Sequence, residues 1–268
     1  MPSNMLINNR FAYTLLVGDV ITERAYYGSA EVFIASENVF DPASLFANGE
    51  QGAFYDPSDL STLFQDDAGT TPVTEPGQTV GLMLDKSGND NHATQPTAES
   101  RPVYQAGGGL HWLEFDGVDD IITTDLDAFG VFDYCMSYTP QGNNFMVSHR
   151  RHNSSGGWVG IGQEGSTSTS LDDAVGAQNA FYVDNQKLQS QTRGDQYTGA
   201  QNGNTAIVNY EITNNRSDYV GVSIGFSSAA FSAPPGIVHG WLLRQGTLGE
   251  AQRELLTDFL ANRAGVAL

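Results

Sequence analysis

The sequence predicts an all-β protein, an antiparallel sandwich with a short C-terminal helix and an N-terminal extension. Two observations carry this. Short apolar runs rich in Val, Ile, Phe and Tyr recur between clusters of Gly, Asn, Asp and Pro along most of the 268 residues, the pattern of strands joined by turns. A single stretch near the C-terminus instead carries its apolar residues at helical spacing. Sandwiches commonly run to roughly 200–250 residues as one unit, so the length resolves into an extension, residues 1–50, and one sandwich domain, residues 51–268. Hydrophobic residues at 40% and aromatics at 10% supply enough apolar surface for a sizeable core.

In chain order, RFAYTLLVGDV and AEVFIA are two short β-like runs separated by the polar, turn-capable ITERAYYGS. Two strands cannot form a core alone, so the extension is expected to pack on the domain, another subunit or a partner surface. DPASLF at 41–46 and DPSDLSTLF at 56–64 each open with Asp-Pro and read as short helical turns. DDAGTTPVTEPGQ at 66–78 has no apolar period and reads as a surface loop. Strands are predicted at 80–84, 110–115, 131–138, 145–149, 158–162, 180–184, 186–190, 205–212, 219–226 and 237–243. The pair around residue 185 turns at Asp184-Asn185. For the helix, Thr247 and Glu250 form a capping box, Leu255, Leu256, Phe259 and Leu260 form the apolar stripe, and Gly265 is the stop.

Charge excludes one class of function. With 31 acidic residues against 12 basic ones the formal net charge is -19, which repels phosphate backbones and anionic lipid, so nucleic acid and membrane are not expected partners. The opening MPSNMLINNR lacks the basic start and apolar run of a secretory signal, and no run approaches the ~18 apolar residues of a span. The lone Cys135, within VFDYCMSY, is expected to be a buried, inert thiol. Phosphate-cradling loops, nucleophile elbows, His-Glu-x-x-His and paired Cys-x-x-Cys motifs do not occur in the sequence.

Residues 81–124 are the most informative stretch: GLMLDKSGNDNHATQ, then RPVY, then HWLEFDGVDDIITT, in which two strand-like pieces are joined by Asp-Gly. FYVDNQKL, VSIGF and GWLLRQGTLGEAQRELLTDFLANRAG follow in order. This series resembles a concanavalin A-like jelly roll of the laminin-G-like kind, from residue 51 to the C-terminus. With an opening such as AFYDPSDLSTLF it is similar to the variety met in bacteriophage virion proteins. The resemblance implies a structural protein at the virion surface, either capsid decoration or tail (tail-fibre) adhesin; the extension, too small to stand alone, is expected to attach it to other virion proteins, and a homo-oligomer is expected. The resemblance also implies that calcium binding is open, since some domains of this kind bind the ion.

Three groups of residues could carry chemistry. Glu114, Asp116 and Asp119 echo the Glu-x-Asp-x-x-Glu run of related sandwich glycanases, which aims paired acids into one cleft. Here Gly117 breaks the strand, so Asp119 and Asp120 are expected to leave that face in a tight turn, and no catalytic residue is assigned. Asp85, Asn89 and Asp90 in DKSGNDNHA are oxygen-rich enough for calcium; alternatively Gly88 and the Asn residues simply make a turn. Arg150, Arg151 and His152, following His149, form a basic knot that with Trp158 or Tyr182 suits carbohydrate binding. The alternative is an exposed strand end with Trp158 in the core, where Trp112 and Trp241 are also expected. The leading reading is a non-enzymatic virion protein that displays the jelly roll and binds host surface glycan. A calcium-dependent lectin-like module, and a glycan hydrolase using Glu114 and Asp116, stand as alternatives.

Overall fold

The N-terminal unit, Met1–Asp41, is a four-stranded antiparallel meander in the computed structural model, which describes residues 5–7, 10–17, 20–27, 30–33, 40–126, 130–140, 144–151, 160–163, 176–188, 195, 205–214, 219–225 and 236–268. Its strands are β1 (Met5–Ile7), β2 (Arg10–Val17), β3 (Val20–Tyr27) and β4 (Ala30–Phe33), paired in sequence order. The expectation of two strands with ITERAYYGS as a connection is corrected here. Val20, Ile21, Thr22, Tyr26 and Tyr27 favour an extended chain strongly enough that the charges of Glu23 and Arg24 do not break it, and the stretch is β3 itself.

The second unit, Pro42–Leu268, opens on a 3-10 turn, Pro42–Phe46, which buries Leu45 and Phe46. There follow β5 (Gly52–Tyr55), a 3-10 turn at Leu60–Thr62, β6 (Leu63–Phe64), β7 (Leu82–Met83), β8 (Ala93–Thr94), a 3-10 turn at Ala98–Ser100, β9 (Val103–Gly107), β10 (Leu110–Phe115) and β11 (Ile121–Thr124). The chain continues through β12 (Gly130–Pro140), β13 (Asn144–Arg151), β14 (Gly160–Gln163), β15 (Gly176–Val183), β16 (Gln186–Lys187), β17 (Ala206–Asn214), β18 (Tyr219–Gly225) and β19 (Gly236–Gln245). It closes on the helix α1 (Glu250–Ala264).

These strands form two antiparallel sheets, so the expected all-β sandwich with a C-terminal helix is what the chain builds. The eight-stranded sheet runs β16-β15-β17-β12-β19-β10-β9, with β5 also on β19. The seven-stranded sheet runs β14-β13-β18-β11-β8-β7-β6. β19 organises the first sheet. One side pairs with β12 along most of its length, while the other is shared by β10, through Leu113↔Val238, and β5, through Trp241↔Tyr55. β5 can lie there because Gly52 has φ +153 and a Cβ would stand 2.1 Å from the Leu243 carbonyl oxygen. Alternation then divides the side chains. Tyr134, Met136, Val208, Tyr210, Trp241 and Leu243 point inward, to meet Leu63, Met83, Ile122, Val222 and Ile224 of the second sheet in one core.

α1 covers part of the outer face of the eight-stranded sheet, packing on β12, β17 and β19. Two details of the predicted helix are corrected. Its N-cap is Gly249, whose N–H donates to Gln252 Oε1 at 3.1 Å, in place of a Thr247/Glu250 box. The buried stripe is Leu256, Thr257, Leu260, Ala261 and Ala264, while Leu255 is 47% exposed, because the sheet meets the helix about one position further round than apolarity alone suggests. Gly265, with φ +68, ends the helix as expected.

Candidate functional site

β10 sets the geometry of the candidate site. Its odd positions Leu113 and Phe115 enter the core, and its even positions Trp112 and Glu114 are half-buried on the outer face. The strand ends at Phe115 and Gly117 adopts φ +77, a conformation a side chain would resist. The turn is tied by its own backbone. Asp116 N–H donates to Asp120 Oδ2 at 2.8 Å, and Asp116 Oδ1 accepts from the N–H groups of Val118 at 2.8 Å and Asp119 at 3.3 Å. The tight inter-strand turn expected from Asp116-Gly117 is therefore present, but leaving the strand face gathers the acids instead of dispersing them. Ligand atoms of Asp116, Asp119 and Asp120 lie within 4.8 Å of one another.

The three carboxylates differ in surroundings. Asp116 is exposed, Asp119 is half-buried with Oδ2 accepting from Ser100 Oγ at 2.8 Å, and Asp120 is only 3% exposed. Burial pushes the Asp120 carboxyl up to about 7; the Asp116 N–H opposes this, and the charges of Asp116 and Asp119 add to it. Asp120 therefore keeps a proton at pH values where an ordinary carboxyl has lost it. In the sequence the one signal for Asp120 is the Asp-Asp pair itself. Glu114 stands outside the cluster, its Oε2 accepting from Gln105 Nε2 at 3.2 Å.

The loop containing Asp85, Asn89 and Asp90 is a hydrogen-bond hub. Asp85 Oδ1 accepts from Phe54 N–H and Ser87 N–H, each at 2.8 Å, and Oδ2 accepts from Ser87 Oγ at 2.6 Å and Asn91 N–H at 3.0 Å. Those bonds occupy the roughly four lone-pair sites of a carboxylate, so Asp85 in this form has no oxygen to offer a cation. Asn89 Nδ2 reaches the carbonyls of Glu50 and Gly52 at 3.0 and 3.2 Å, and Asn91 Nδ2 reaches Gly52 O at 2.7 Å. Asp90, with φ +60, is exposed. The loop thus pins the start of β5 to the sandwich.

Of the carbohydrate candidates, Arg150 and Arg151 have their backbone in β13, while their side chains, His152 and Trp158 lie outside the described residues. Tyr182 is half-buried, with the Arg253 guanidinium 4.0 Å over its ring and Lys187 Nζ at 5.8 Å. It serves as a platform for α1. Trp241 is core at 6% exposure, but Trp112, expected there too, is half-buried on the outer face. It packs over Gly107 and beside His239, with ring centroids 5.8 Å apart. Its buried indole N–H has no acceptor among the described residues.

Beneath α1 sits a second buried acid, Asp133, whose carboxyl accepts from Leu248 N–H and is pushed up by burial to about 7. Beside it on β19, Arg244 donates from each of its three guanidinium nitrogens, to Leu45 O at 2.8 Å, Gln245 O at 3.1 Å and Glu50 Oε1 at 2.8 Å. Cys135, on the same face of β12 as Asp133, is buried and its thiol is pushed up to about 12, which matches an inert thiol.

No family model matches the chain, and no curated relative matches it either. Among solved structures it is similar to Trypanosoma rangeli sialidase. The complex with 2,3-difluorosialic acid, a covalent intermediate, matches at 12% identity and TM-score 0.44, covering 100% of this chain and 45% of that one. The sialic acid complex matches at 11% identity and TM-score 0.43 with the same coverage, and the complex with the inhibitor DANA at 11% and 0.38, covering 96% and 43%. The chain thus spans less than half the length of these structures. Overlap at these scores transfers neither fold detail nor site. The matched protein is nevertheless an enzyme, and the comparisons point to no virion or bacteriophage protein. The expectation of a non-enzymatic virion protein, with its capsid and tail variants, is accordingly corrected and not carried further.

Proposed function

We propose that the sandwich is a glycan hydrolase whose acid–base chemistry resides in the turn after β10. The observation that carries this is the gathering of three carboxylates within 4.8 Å, one of them with its proton held up to about 7. Glycoside hydrolysis needs one acid to protonate the leaving oxygen and a second carboxylate close by, about 5–5.5 Å away in enzymes that retain configuration. Asp120 is the proton-holding member, and Asp116, exposed at the turn, is the member a substrate can meet. The concanavalin A-like resemblance of residues 81–124 supports the reading, since related sandwich glycanases carry their acids on the corresponding run. The pair used here is Asp116 and Asp120, not Glu114 and Asp116.

The test is reducing-end release from a panel of soluble polysaccharides, with configuration followed by NMR. Wild type is expected to cleave at least one, Asp116→Asn and Asp120→Asn each to lower kcat by about a hundredfold or more, and Glu114→Gln to retain most of it. Polysaccharides left intact after long incubation would remove the proposal. The N-terminal unit we assign to attachment, to further copies of the chain or to another protein.

A further inference from the structure

α1 leaves one part of the outer sheet face uncovered, and that part leads to the carboxylate turn. The helix packs on β12, β17 and β19 and reaches β10 at Leu110, which a Cβ on Gly265 would meet at 2.9 Å. Beyond that point Gln105, Trp112, Glu114 and Ile237 are all half-buried, while their strand neighbours Tyr104, Leu113, Phe115 and Val238 are buried in the core. β9 is the last named strand of the sheet, and its outer edge is closed by residues 77–80, with Tyr104 N–H donating to Gln78 O and Gly77 N–H to Tyr104 O, each at 2.8 Å, so the patch is reached from the face of the sheet. It is adjacent in the chain to Asp116, because Trp112, Glu114 and Asp116 occupy alternate positions.

We infer that this patch is a binding platform for a neutral saccharide, which runs along it toward the carboxylate turn. The inference rests on the hydrolase reading for the direction of the chain, though not for the binding itself. An aromatic ring beside a carboxylate and a side-chain amide is the combination that recognises a pyranose. Trp112 supplies an apolar face for the ring's C–H groups, and Glu114 and Gln105, bonded to each other at 3.2 Å, supply acceptors and a donor for its hydroxyls. Gly107 carries no side chain over Trp112; a Cβ there would sit 3.5 Å from the indole. The sign of the charge selects the sugar. Glu114 on the platform, three aspartates at its end and a net charge of -19 on the chain all disfavour uronic or sialic acids.

The experiment is affinity electrophoresis and calorimetry of the full chain with laminarin, xylan and dextran as neutral probes, and polygalacturonate and polysialic acid as anionic ones. At least one neutral polymer is expected to bind. Trp112→Ala should weaken that binding about tenfold and Gln105→Ala severalfold, with Trp112→Phe close to wild type and thermal midpoints confirming folded variants. Gln105, on the edge strand, keeps the test open should Trp112→Ala not fold. Absence of binding to every neutral probe, binding to anionic probes alone, or undiminished binding by both platform variants would overturn the inference. Binding without cleavage would remove the hydrolase and leave the platform. Cleavage with an unchanged KM in Trp112→Ala would do the reverse.

Discussion

Asp120 holds its proton because the chain withdraws it from water beside two other acids, and the consequence extends to stability. The folded chain keeps protons on Asp120 and Asp133 up to about 7, whereas the unfolded chain releases them near 4. Between those values the folded state binds more protons, so the contribution of these two acids is full below about pH 4 and is lost as pH rises to about 7. His239, whose burial lowers its proton affinity, acts in the opposite direction with one group against two. Below about pH 4 Asp66 takes over: hydrogen bonds from Thr70 and Thr71 lower it, and that contribution is lost as pH falls. We predict a denaturation midpoint that is highest at mildly acidic pH and lower at pH 8, measured by urea unfolding across the range. Asp120→Asn and Asp133→Asn should each flatten the decline, and an unchanged slope in both would contradict these assignments. Trp112→Phe removes a buried N–H that has no acceptor among the described residues. It should leave stability within about 1 kcal/mol, readable in the same assay. The turn after β10 was legible in Asp116-Gly117, because glycine's backbone freedom is local. Convergence of the three acids was not, since it depends on where Ile121 re-enters the second sheet and on Ser100 of a distant turn.

At the scale of elements, two junctions hold the layers together, and both can be broken singly. β5 joins β19 only because Gly52 has no side chain, so Gly52→Ala must displace the Leu243 carbonyl, 2.1 Å from the added carbon. A loss of about 3 kcal/mol or more is expected, with the Asp85 loop that pins β5 loosened at the same time, as hydrogen exchange at Phe54 and Asn91 would report. α1 is anchored by Leu256 and Leu260, both fully buried, and by Arg263, which reaches the 2% exposed Asp56 at 3.1 Å. Leu260→Ala should cost about 2–5 kcal/mol. Arg263→Ala should cost less, about 1–3 kcal/mol, because Ser58 still donates to the stranded carboxylate at 2.6 and 3.0 Å. Calorimetry on the pair tests the order, and equal losses would contradict it. Most sandwich strands and the Asp184-Asn185 hairpin were readable from alternation and turn chemistry, and both hairpin residues indeed have positive φ. β5 and β9 were missed because neither alternates cleanly. β5 is buried at every position, between the core and α1, and β9 is a half-exposed edge strand.

For the whole molecule, the division at Asp41/Pro42 gives a direct expectation. A chain lacking residues 1–41 should keep the thermal midpoint of the sandwich, whereas one lacking residues 1–50 also loses Leu45, Phe46 and the Glu50–Arg244 ion pair at 2.8 Å, and should melt several degrees lower. Equal midpoints would show that the Pro42–Phe46 turn contributes nothing. Sedimentation of the shorter chain tests the attachment role, since loss of self-association or of a partner is expected with the first unit removed. By itself the sequence determined the class of fold, the position of most strands, the turns and the helix, because those follow from period-two alternation, backbone freedom at Gly and Asn, and helical spacing, all of which act over a few residues. Only the tertiary structure decided which side of α1 is buried, which face Trp112 occupies, and that Asp116, Asp119 and Asp120 share one small volume. Those outcomes are set by contacts between segments far apart in the chain, and the proton affinity of a buried carboxyl reports just such contacts.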